Sequence, residues 1–418
     1  MVFMNVTKEA ALLMSSLSIY KDIMNRTVPK AYFELLKSLD KPVFEFTKAW
    51  GSFFALLCDR NCADSLAQCL TEAALFDENA FSRAAAAGKE KDLPSEVISA
   101  VRRDISAIKR ISTITPERIL DDYLYRDELG AVANSLPRWK TGTPIKEFSD
   151  EDSAIDCLAD YYKRSGCGMF ARYRAFIWRD KSIEPVIHPD NTDITALKGY
   201  QIPRGLVVEN TTAFLNGAEC NNCLLYGDRG TGKSSTVKAV LNKYYTDGLR
   251  LIEMPKDKLE EFPILVDRIA AVPLKFIIFI DDLSFSNDDN TYARLKAVLE
   301  GGIAAKPANT LIYATSNRRH LIKENFADRA GDEVHRNDAI QESLSLSDRF
   351  GLSINFSKPD KEQYLEIVRS LAKEKNLNIG VDQLEKEAER WAIRRGGRSP
   401  RCAKQFISAK QANLIHNS

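Results

Sequence analysis

The chain has 418 residues, a length that favours two or three domains with their own cores. Apolar residues make up 44% of it and charged residues 28%, which is typical of a globular protein. With 59 Lys and Arg against 58 Asp and Glu, the net charge of +1 predicts neither nucleic-acid nor membrane binding. DNA stays open as a partner only through a local basic patch.

Targeting and cysteine signals point to a reducing compartment. No apolar run reaches the length of a membrane span, and the N-terminus lacks the features of a secretory signal. We therefore expect a cytoplasmic protein without membrane contact, and we expect the eight cysteines to be buried thiols. Only Cys220 and Cys223 form a C-x-x-C pair and the four histidines are scattered, so no zinc site is expected.

Residues 1–190 read as a mainly helical N-terminal domain of unknown role. The clearest helix follows Pro94, where apolar residues from Val97 to Ile111 recur with a period of 3.6. Its opposite face carries arginine and lysine, for which a solvated surface is favoured over a nucleic-acid contact. A stretch rich in turn-forming residues at 183–191 indicates a linker.

Beyond the linker, helical and strand patterns alternate, which predicts an α/β core over residues 191–357. Only helical patterns follow Pro359, so residues 358–418 are expected to form a helical lid. The core should contain five parallel strands, at residues 223–226, 249–253, 276–280, 310–314 and 352–356.

The most informative motif lies directly after the first of these strands. Residues 227–234 read G-x-x-x-x-G-K-S and precede a helical pattern, the context of a phosphate-binding (Walker A) loop. Its glycines allow backbone N–H groups to approach phosphate, Lys233 can reach the β- and γ-phosphates, and Ser234 can ligate Mg²⁺. The residues expected to bind ATP are Gly227, Asp228, Arg229, Gly230, Thr231, Gly232, Lys233, Ser234 and Ser235.

Two further groups of polar residues follow later strands. The run 276–280 ends in Asp281-Asp282, as in a Walker B segment. Asp281 is expected to bind Mg²⁺ through water, and Asp282 to polarise the attacking water. Asn317 follows the strand 310–314, where its amide can lie between the γ-phosphate and that water; a capping asparagine is the alternative. Arg318 and Arg319 could bind phosphate or pair with acids.

The phosphate loop and the two later polar groups, followed by a helical tail, resemble the motifs of an AAA+ ATPase. The resemblance implies a nucleotide core, a C-terminal lid and a ring or dimer with ATP between subunits. Residues 347–351 (SDRFG) resemble the arginine-finger segment and nominate Arg349, while 397–401 (GRSPR) resemble the second sensor and nominate Arg401. For both arginines a structural salt bridge is the alternative.

A more specific resemblance is to a bacterial family with an ATP-binding domain of unknown function, number 815. It extends over residues 193–406 and rests on blocks at 210–215, 224–235, 249–253, 281–285, 313–321, 344–352 and 396–406. It implies ATP binding and hydrolysis but no physiological substrate. Where AAA+ proteins usually have Asp-Glu, this chain has Asp281-Asp282, so the base is one methylene shorter and slow basal turnover is expected.

Three functions fit these motifs. The first is an oligomeric, Mg-dependent ATPase that remodels or loads a macromolecular partner. The second is a slow nucleotide-gated switch that a partner activates. The third is a small-molecule kinase, which needs neither Asn317 nor Arg349. Residues 254–259 lack an aromatic, glycine-flanked loop, which disfavours polypeptide threading.

Overall fold

The computed structural model describes residues 5–148, 150, 153–283, 295–296, 298–299, 307–317 and 349–416. The chain divides into two compact units, Met1–Arg172 and Tyr173–Ser418. In the part of the chain that is described, none of the helices combines the length and apolarity that crossing a membrane requires.

The first unit is helical, as predicted for most of this region. Its core is rich in aromatic side chains, among them Phe46, which stacks on Tyr123 at 3.9 Å between ring centroids. On the helix with the basic face, Arg110 forms an ion pair with Glu9, which balances one of the positive charges of that helix within the unit. The helices are α1 (Val6–Ser15), α2 (Thr27–Lys37), α3 (Val43–Asp59), α4 (Leu66–Leu75), α5 (Ala80–Ala86), α6 (Ser95–Ser112), α7 (Pro116–Asp121), α8 (Arg126–Leu129), α9 (Val132–Ser135), α10 (Ala154–Ser165) and α11 (Gly168–Arg172).

The prediction of buried thiols is wrong for four cysteines in this unit, two that are bonded and two that are exposed. Cys62 and Cys69 form a disulfide, with their Cα atoms 6.1 Å apart. Their spacing suggests one helix, but the chain leaves α3 after Asp59 and turns back before α4 begins at Leu66, which brings the two thiols together. Cys58 and Cys157 are exposed rather than buried.

The second unit is built on a seven-stranded sheet in the order β2-β1-β4-β5-β6-β3-β7. All five predicted strands are present and parallel to their neighbours, and they read as apolar runs because helices flank the sheet. The strands are β1 (Ala175–Arg179), β2 (Ser182–Pro185), β3 (Cys223–Gly227), β4 (Leu249–Glu253), β5 (Lys275–Ile280), β6 (Thr310–Ser316) and β7 (Leu352–Phe356).

Strands β1 and β2 are an addition to the predicted five. They form an antiparallel hairpin whose turn residues, Asp180 and Lys181, both have positive φ, as a type I′ turn requires. Strand β1 pairs in parallel with β4 and so extends the sheet. Residues 173–190, which the sequence places with the N-terminal helices, therefore pack with the α/β core.

Helices complete the second unit. In the described residues, α12 (Gln201–Leu215), α13 (Lys233–Tyr244) and α14 (Phe262–Ile269) accompany the sheet. Three more helices form the lid around a separate apolar core that includes Tyr364, Ala388 and Phe406. They are α15 (Lys361–Glu374), α16 (Val381–Arg394) and α17 (Pro400–His416). This layout confirms the predicted P-loop α/β core with a C-terminal helical lid.

Asn222 fixes the strand that carries the phosphate loop. It directly precedes β3 and is 9% exposed. Its side-chain Oδ1 accepts a hydrogen bond from the Ile312 N–H on β6 at 2.9 Å, and its backbone oxygen accepts from the Leu352 N–H on β7 at 3.2 Å. One residue therefore sets the alignment of β3 with both of its neighbours.

Replacing Asn222 with alanine should destabilise the sheet by about 1–3 kcal/mol, since the buried Ile312 N–H loses its acceptor. Hydrogen–deuterium exchange of the peptide containing Ile312, together with chemical denaturation, measures the effect. The exposed neighbour Asn221→Ala is the matched control and should change stability by less than about 0.5 kcal/mol. Equal protection of Ile312 in both variants would contradict this assignment.

Candidate functional site

The carboxyl ends of β3, β5 and β6 meet at one edge of the sheet. The register pairs Tyr226 with Ser316 and Ile280 with Ala314, so the residues that follow these strands lie side by side. These are the residues of the phosphate loop, Asp281 with Asp282, and Asn317. Ligands of open parallel sheets bind at such an edge.

Two glycines give the phosphate loop its shape. Gly227 has φ +131°, and a Cβ there would lie 2.3 Å from the backbone oxygen of Phe356 on β7. Gly232 has φ +92° and is the residue before α13, so the left-handed turn leads directly into the helix. The N-terminus of α13 therefore faces the loop with its unsatisfied N–H groups and partial positive charge.

Lys233 lies at the centre of this edge and is only 6% exposed. Its Nζ donates to the backbone oxygens of Gly227 and Asp228, at 3.0 and 2.7 Å, and to Oδ1 of Asn317 at 3.2 Å. Burial lowers the pKa of Lys233, while the carboxylates of Asp228, Asp282 and Asp281 oppose that shift. Oxygen atoms at the carboxyl ends of β3 and β6 thus hold the ammonium in place.

Asp281, directly after β5, contacts both the end of the phosphate-loop motif and strand β6. Its Oδ1 accepts from Ser234 Oγ at 2.7 Å and from Thr315 Oγ1 on β6. A hydroxyl and a carboxylate oxygen that already lie in contact are a donor set of the hard-oxygen type that Mg²⁺ prefers. Ser234 and Asp281, the two metal-binding residues predicted from the sequence, are therefore brought together.

Asp282 adopts a backbone conformation that non-glycine residues rarely take, with φ +51°. Its N–H donates to Oδ1 of Asp281 at 3.1 Å and to Thr315 Oγ1 at 2.9 Å, and these contacts hold the turn. Asn317 then donates through Nδ2 to Oδ1 of Asp282 at 2.5 Å. Strained backbone of this kind tends to occur at functional sites, where it aims a side chain.

Asn317 thereby connects the lysine with the second carboxylate. Its Oδ1 accepts from Lys233 and its Nδ2 donates to Asp282. The alternative of a purely capping asparagine does not account for these two contacts, because both are made to side chains. Arg318 and Arg319 lie outside the described residues.

The lid reaches the phosphate loop through two backbone contacts. The N–H of Arg401, in the first turn of α17, donates to the Gly230 oxygen at 3.2 Å. The N–H of Lys358, just before the lid, donates to Oδ2 of Asp228 at 2.8 Å. Arg401 is exposed and its charge contributes to lowering the pKa of Lys233. The structure therefore brings Arg401 to the predicted nucleotide site.

Arg349 lies at the other end of the sheet. It precedes β7, whose first residue Leu352 pairs with Cys223 at the start of β3, whereas Phe356 pairs with Gly227. Five strand residues separate the two ends, about 15 Å. Arg349 is thus not brought to Lys233 of its own chain, and the neighbouring motif residues Ser347 and Asp348 lie outside the described residues.

Comparison with known proteins places this geometry in a family. Residues 171–414 match the family described as "Protein of unknown function (DUF815)", a segment that is more than half of the chain. The chain belongs to the DUF815 family. The match begins two residues before the second unit and includes the sheet, the phosphate loop and the lid. No curated protein matches this DUF815 chain.

Solved structures of Thermotoga maritima RuvB are similar to it at low identity. A point mutant is 15% identical and has a TM-score of 0.37, covering 54% of this chain and 67% of its own. The RuvB Holliday junction branch migration motor is 16% identical and has a TM-score of 0.36, covering 54% of this chain and 66% of its own.

Next to the phosphate loop, this DUF815 member has a cavity of about 800 Å³ that residues of both the core and the lid line. Gly230, Gly232 and Ser235 line it from the loop, and Lys404 lines it from α17. Residues 190–200 form a further wall. Arg204 holds this wall by donating to the backbone oxygens of Ile194, Leu197 and Gly199.

Several residues of the DUF815 site are missed by sequence reasoning. Thr315 binds both Asp281 and the Asp282 N–H, and its position two residues before Asn317 at a strand end is the signal that could have found it. Tyr200 has φ +56° and donates through its hydroxyl to the Ser357 oxygen at 2.6 Å, next to the lid. Nothing local in the sequence predicts that contact.

Proposed function

We propose that this chain is a Mg-dependent ATPase that works as an oligomer and couples ATP hydrolysis to remodelling or loading of a macromolecular partner. The observation that carries the proposal is the network around Lys233, in which one asparagine contacts both the lysine and a carboxylate next to the metal-type pair. A structural lysine would not need to be buried beside three aspartates.

The nucleotide would extend from the cavity to the phosphate loop. The nucleoside fits the 800 Å³ cavity, which is within the range of small-molecule pockets. The triphosphate would follow the loop, with Lys233 donating to the β- and γ-phosphates and Arg401 adding a guanidinium from the lid. Mg²⁺, held by Ser234 and Asp281, would supply charge neutralisation at the β- and γ-oxygens.

Hydrolysis would use the pair formed by Asp282 and Asn317. The carboxylate of Asp282 would accept a proton from the attacking water, and the Asn317 amide would orient that water toward the γ-phosphorus. Because aspartate is shorter than glutamate by one methylene, its reach to the water is reduced, and an error of about 1 Å can cost on the order of 10²-fold in rate. This supports slow basal turnover.

Arg349 supports an assembly of several copies. An arginine at the far end of the sheet cannot act on its own phosphate loop, but it can reach the site of an adjoining copy in a ring or dimer. A slow nucleotide-gated switch is the second candidate, favoured by the hydrogen bond that already engages the Asp282 carboxylate with Asn317. In that case a partner would accelerate turnover.

Lys233→Ala should abolish ATP binding, because the buried ammonium is the main cation of the loop. Isothermal calorimetry with MgATP measures this. Lys243→Ala, on the exposed side of α13, is the matched control and should bind ATP like the wild type. Wild-type affinity in the Lys233 variant would overturn the site.

Asp282→Asn should retain ATP affinity and lower kcat by about 10²-fold or more, because the amide cannot accept the proton. Single-turnover hydrolysis and calorimetry separate the two effects. Asp282→Glu restores the missing methylene and should raise kcat above the wild-type value. Loss of ATP binding in the asparagine variant would mean that Asp282 has a different role.

Arg349→Ala and Lys233→Ala should each be inactive alone and regain ATPase activity when mixed. A mixed interface would combine an intact phosphate loop from the first protein with an intact arginine from the second. Activity is followed across mixing ratios, with each variant alone as the baseline. If no ratio restores hydrolysis, Arg349 does not act across an interface.

A further inference from the structure

The lid helix α16 separates its charges onto two sides. Its glutamates all form ion pairs with other parts of the lid: Glu385 with Arg369, Glu387 with Lys410 and Glu389 with Arg398. Asp382, in the first turn, is the remaining acidic residue of the helix. The negative charge of α16 is therefore largely balanced within the lid itself.

The cations of the same helix lie on its outward side. Lys386, Arg390 and Arg394 follow one another at intervals of four residues, so they lie along one face, and all three are exposed. These three residues are called here the basic stripe. In the part of the chain that the structure describes, none of them forms an ion pair. A hydrogen bond from Lys410 is the main reason that the pKa of Glu387 is lowered, and the charge of Arg390 contributes least.

Stabilisation of the helix end explains only one of these cations. The helix dipole favours positive charge within the last turn, where Arg394 is the basic residue. Arg390 lies before that turn, and Lys386 lies more than two turns before the end of the helix. Like charges four residues apart also destabilise a helix slightly. The basic stripe therefore carries a repulsion that an anionic partner would relieve.

We propose that the basic stripe binds the phosphate backbone of nucleic acid. The inference names the class of the macromolecular partner, and in that respect it rests on the proposed function. The stripe extends over about 12 Å of helix axis, and a duplex carries one charge per about 1.7 Å, so the stripe faces several phosphates. Arginine and lysine side chains are the usual phosphate contacts. The net charge of +1 does not oppose this, because the glutamates of α16 are engaged within the lid.

The surroundings of the basic stripe favour nucleic acid over an acidic protein. Protein interfaces have an apolar centre in which lysine is depleted. The exposed large apolar residues of α16 are Val381 and Ile393, and only Ile393 lies on the side of the stripe. The stripe residues line neither the nucleoside cavity nor the space in front of residues 228–230. The contact is therefore separate from the proposed ATP site.

The test is fluorescence anisotropy of a labelled duplex of about 20 base pairs, titrated with the full chain at salt concentrations from about 50 to 200 mM. The logarithm of the association constant should fall linearly with the logarithm of salt, with a slope of about −3 for three phosphate contacts. Lys386→Ala, Arg390→Ala and Arg394→Ala should each weaken binding on the order of tenfold at the lowest salt and reduce the slope by about 1.

Lys373→Ala is the matched control, because it removes an exposed cation of the lid from α15 rather than α16. It should bind the duplex like the wild type. All four variants should keep the wild-type MgADP affinity and far-UV circular dichroism, which shows that the lid is folded.

Absence of duplex binding at the lowest salt, a slope near zero or an equal loss in the Lys373 variant would each overturn the proposal. Stripe-dependent binding of polyglutamate without binding of the duplex would overturn it in favour of an acidic protein. The Lys233→Ala protein should bind the duplex with wild-type affinity, and a loss there would assign the contact to the ATP site instead. Duplex binding without ATP binding in the wild type would count against the proposed ATPase and not against the stripe.

Discussion

Burial of the Lys233 ammonium is the constraint around which the site is organised. A buried charge is tolerated only when oxygen atoms replace the water it has lost. Here two backbone oxygens of the phosphate loop and the Asn317 amide oxygen do so, and three carboxylates surround them. The loop, β6 and the acidic turn after β5 therefore depend on one another. A shift of any of them would leave the lysine with unmet hydrogen bonds.

The same constraint links the lid to the loop. Asp228 contributes its backbone oxygen to Lys233 and its carboxylate to the Lys358 N–H at the start of the lid. Gly230, two residues later, accepts from the Arg401 N–H on α17. Movement of the lid would break contacts to residues that hold the lysine, so the position of the lid and the hydrogen bonds of Lys233 are coupled. This is a direct physical route between the phosphate loop and residues 358–416.

Much of this could be predicted from the sequence, because the decisive signals are local. Five apolar runs gave five strands within two residues of their observed ends, and the residues just past those strands gave the loop, Asp281, Asp282 and Asn317. Parallel strands carry their carboxyl ends to one edge, so these side chains had to meet. The hairpin β1–β2 was missed because it borders a helical region, and its turn contains Asp180 and Lys181 rather than glycine.

Contacts between distant segments could not be predicted in this way. The bonds from Lys358 to Asp228 and from Tyr200 to Ser357 join residues far apart in the chain, and no motif specifies either pair. The contact of the Arg401 N–H with the Gly230 oxygen likewise needs the lid to fold back onto the loop. The disulfide depends likewise on the turn between α3 and α4.

At Asp282, the backbone conformation determines where the carboxylate lies at this edge of the sheet. Because aspartate is shorter than glutamate, the position of its carboxylate depends closely on the backbone that carries it. The positive φ of Asp282 is held by Asp281 and Thr315, and the bond from Asn317 fixes the carboxylate beside Lys233. Such strain costs of order 1–3 kcal/mol and persists only where the surroundings enforce it. Here the surroundings are the two acceptors of the Asp282 N–H and the amide of Asn317, so the acidic turn after β5 keeps its shape only while β6 stays in place beside it.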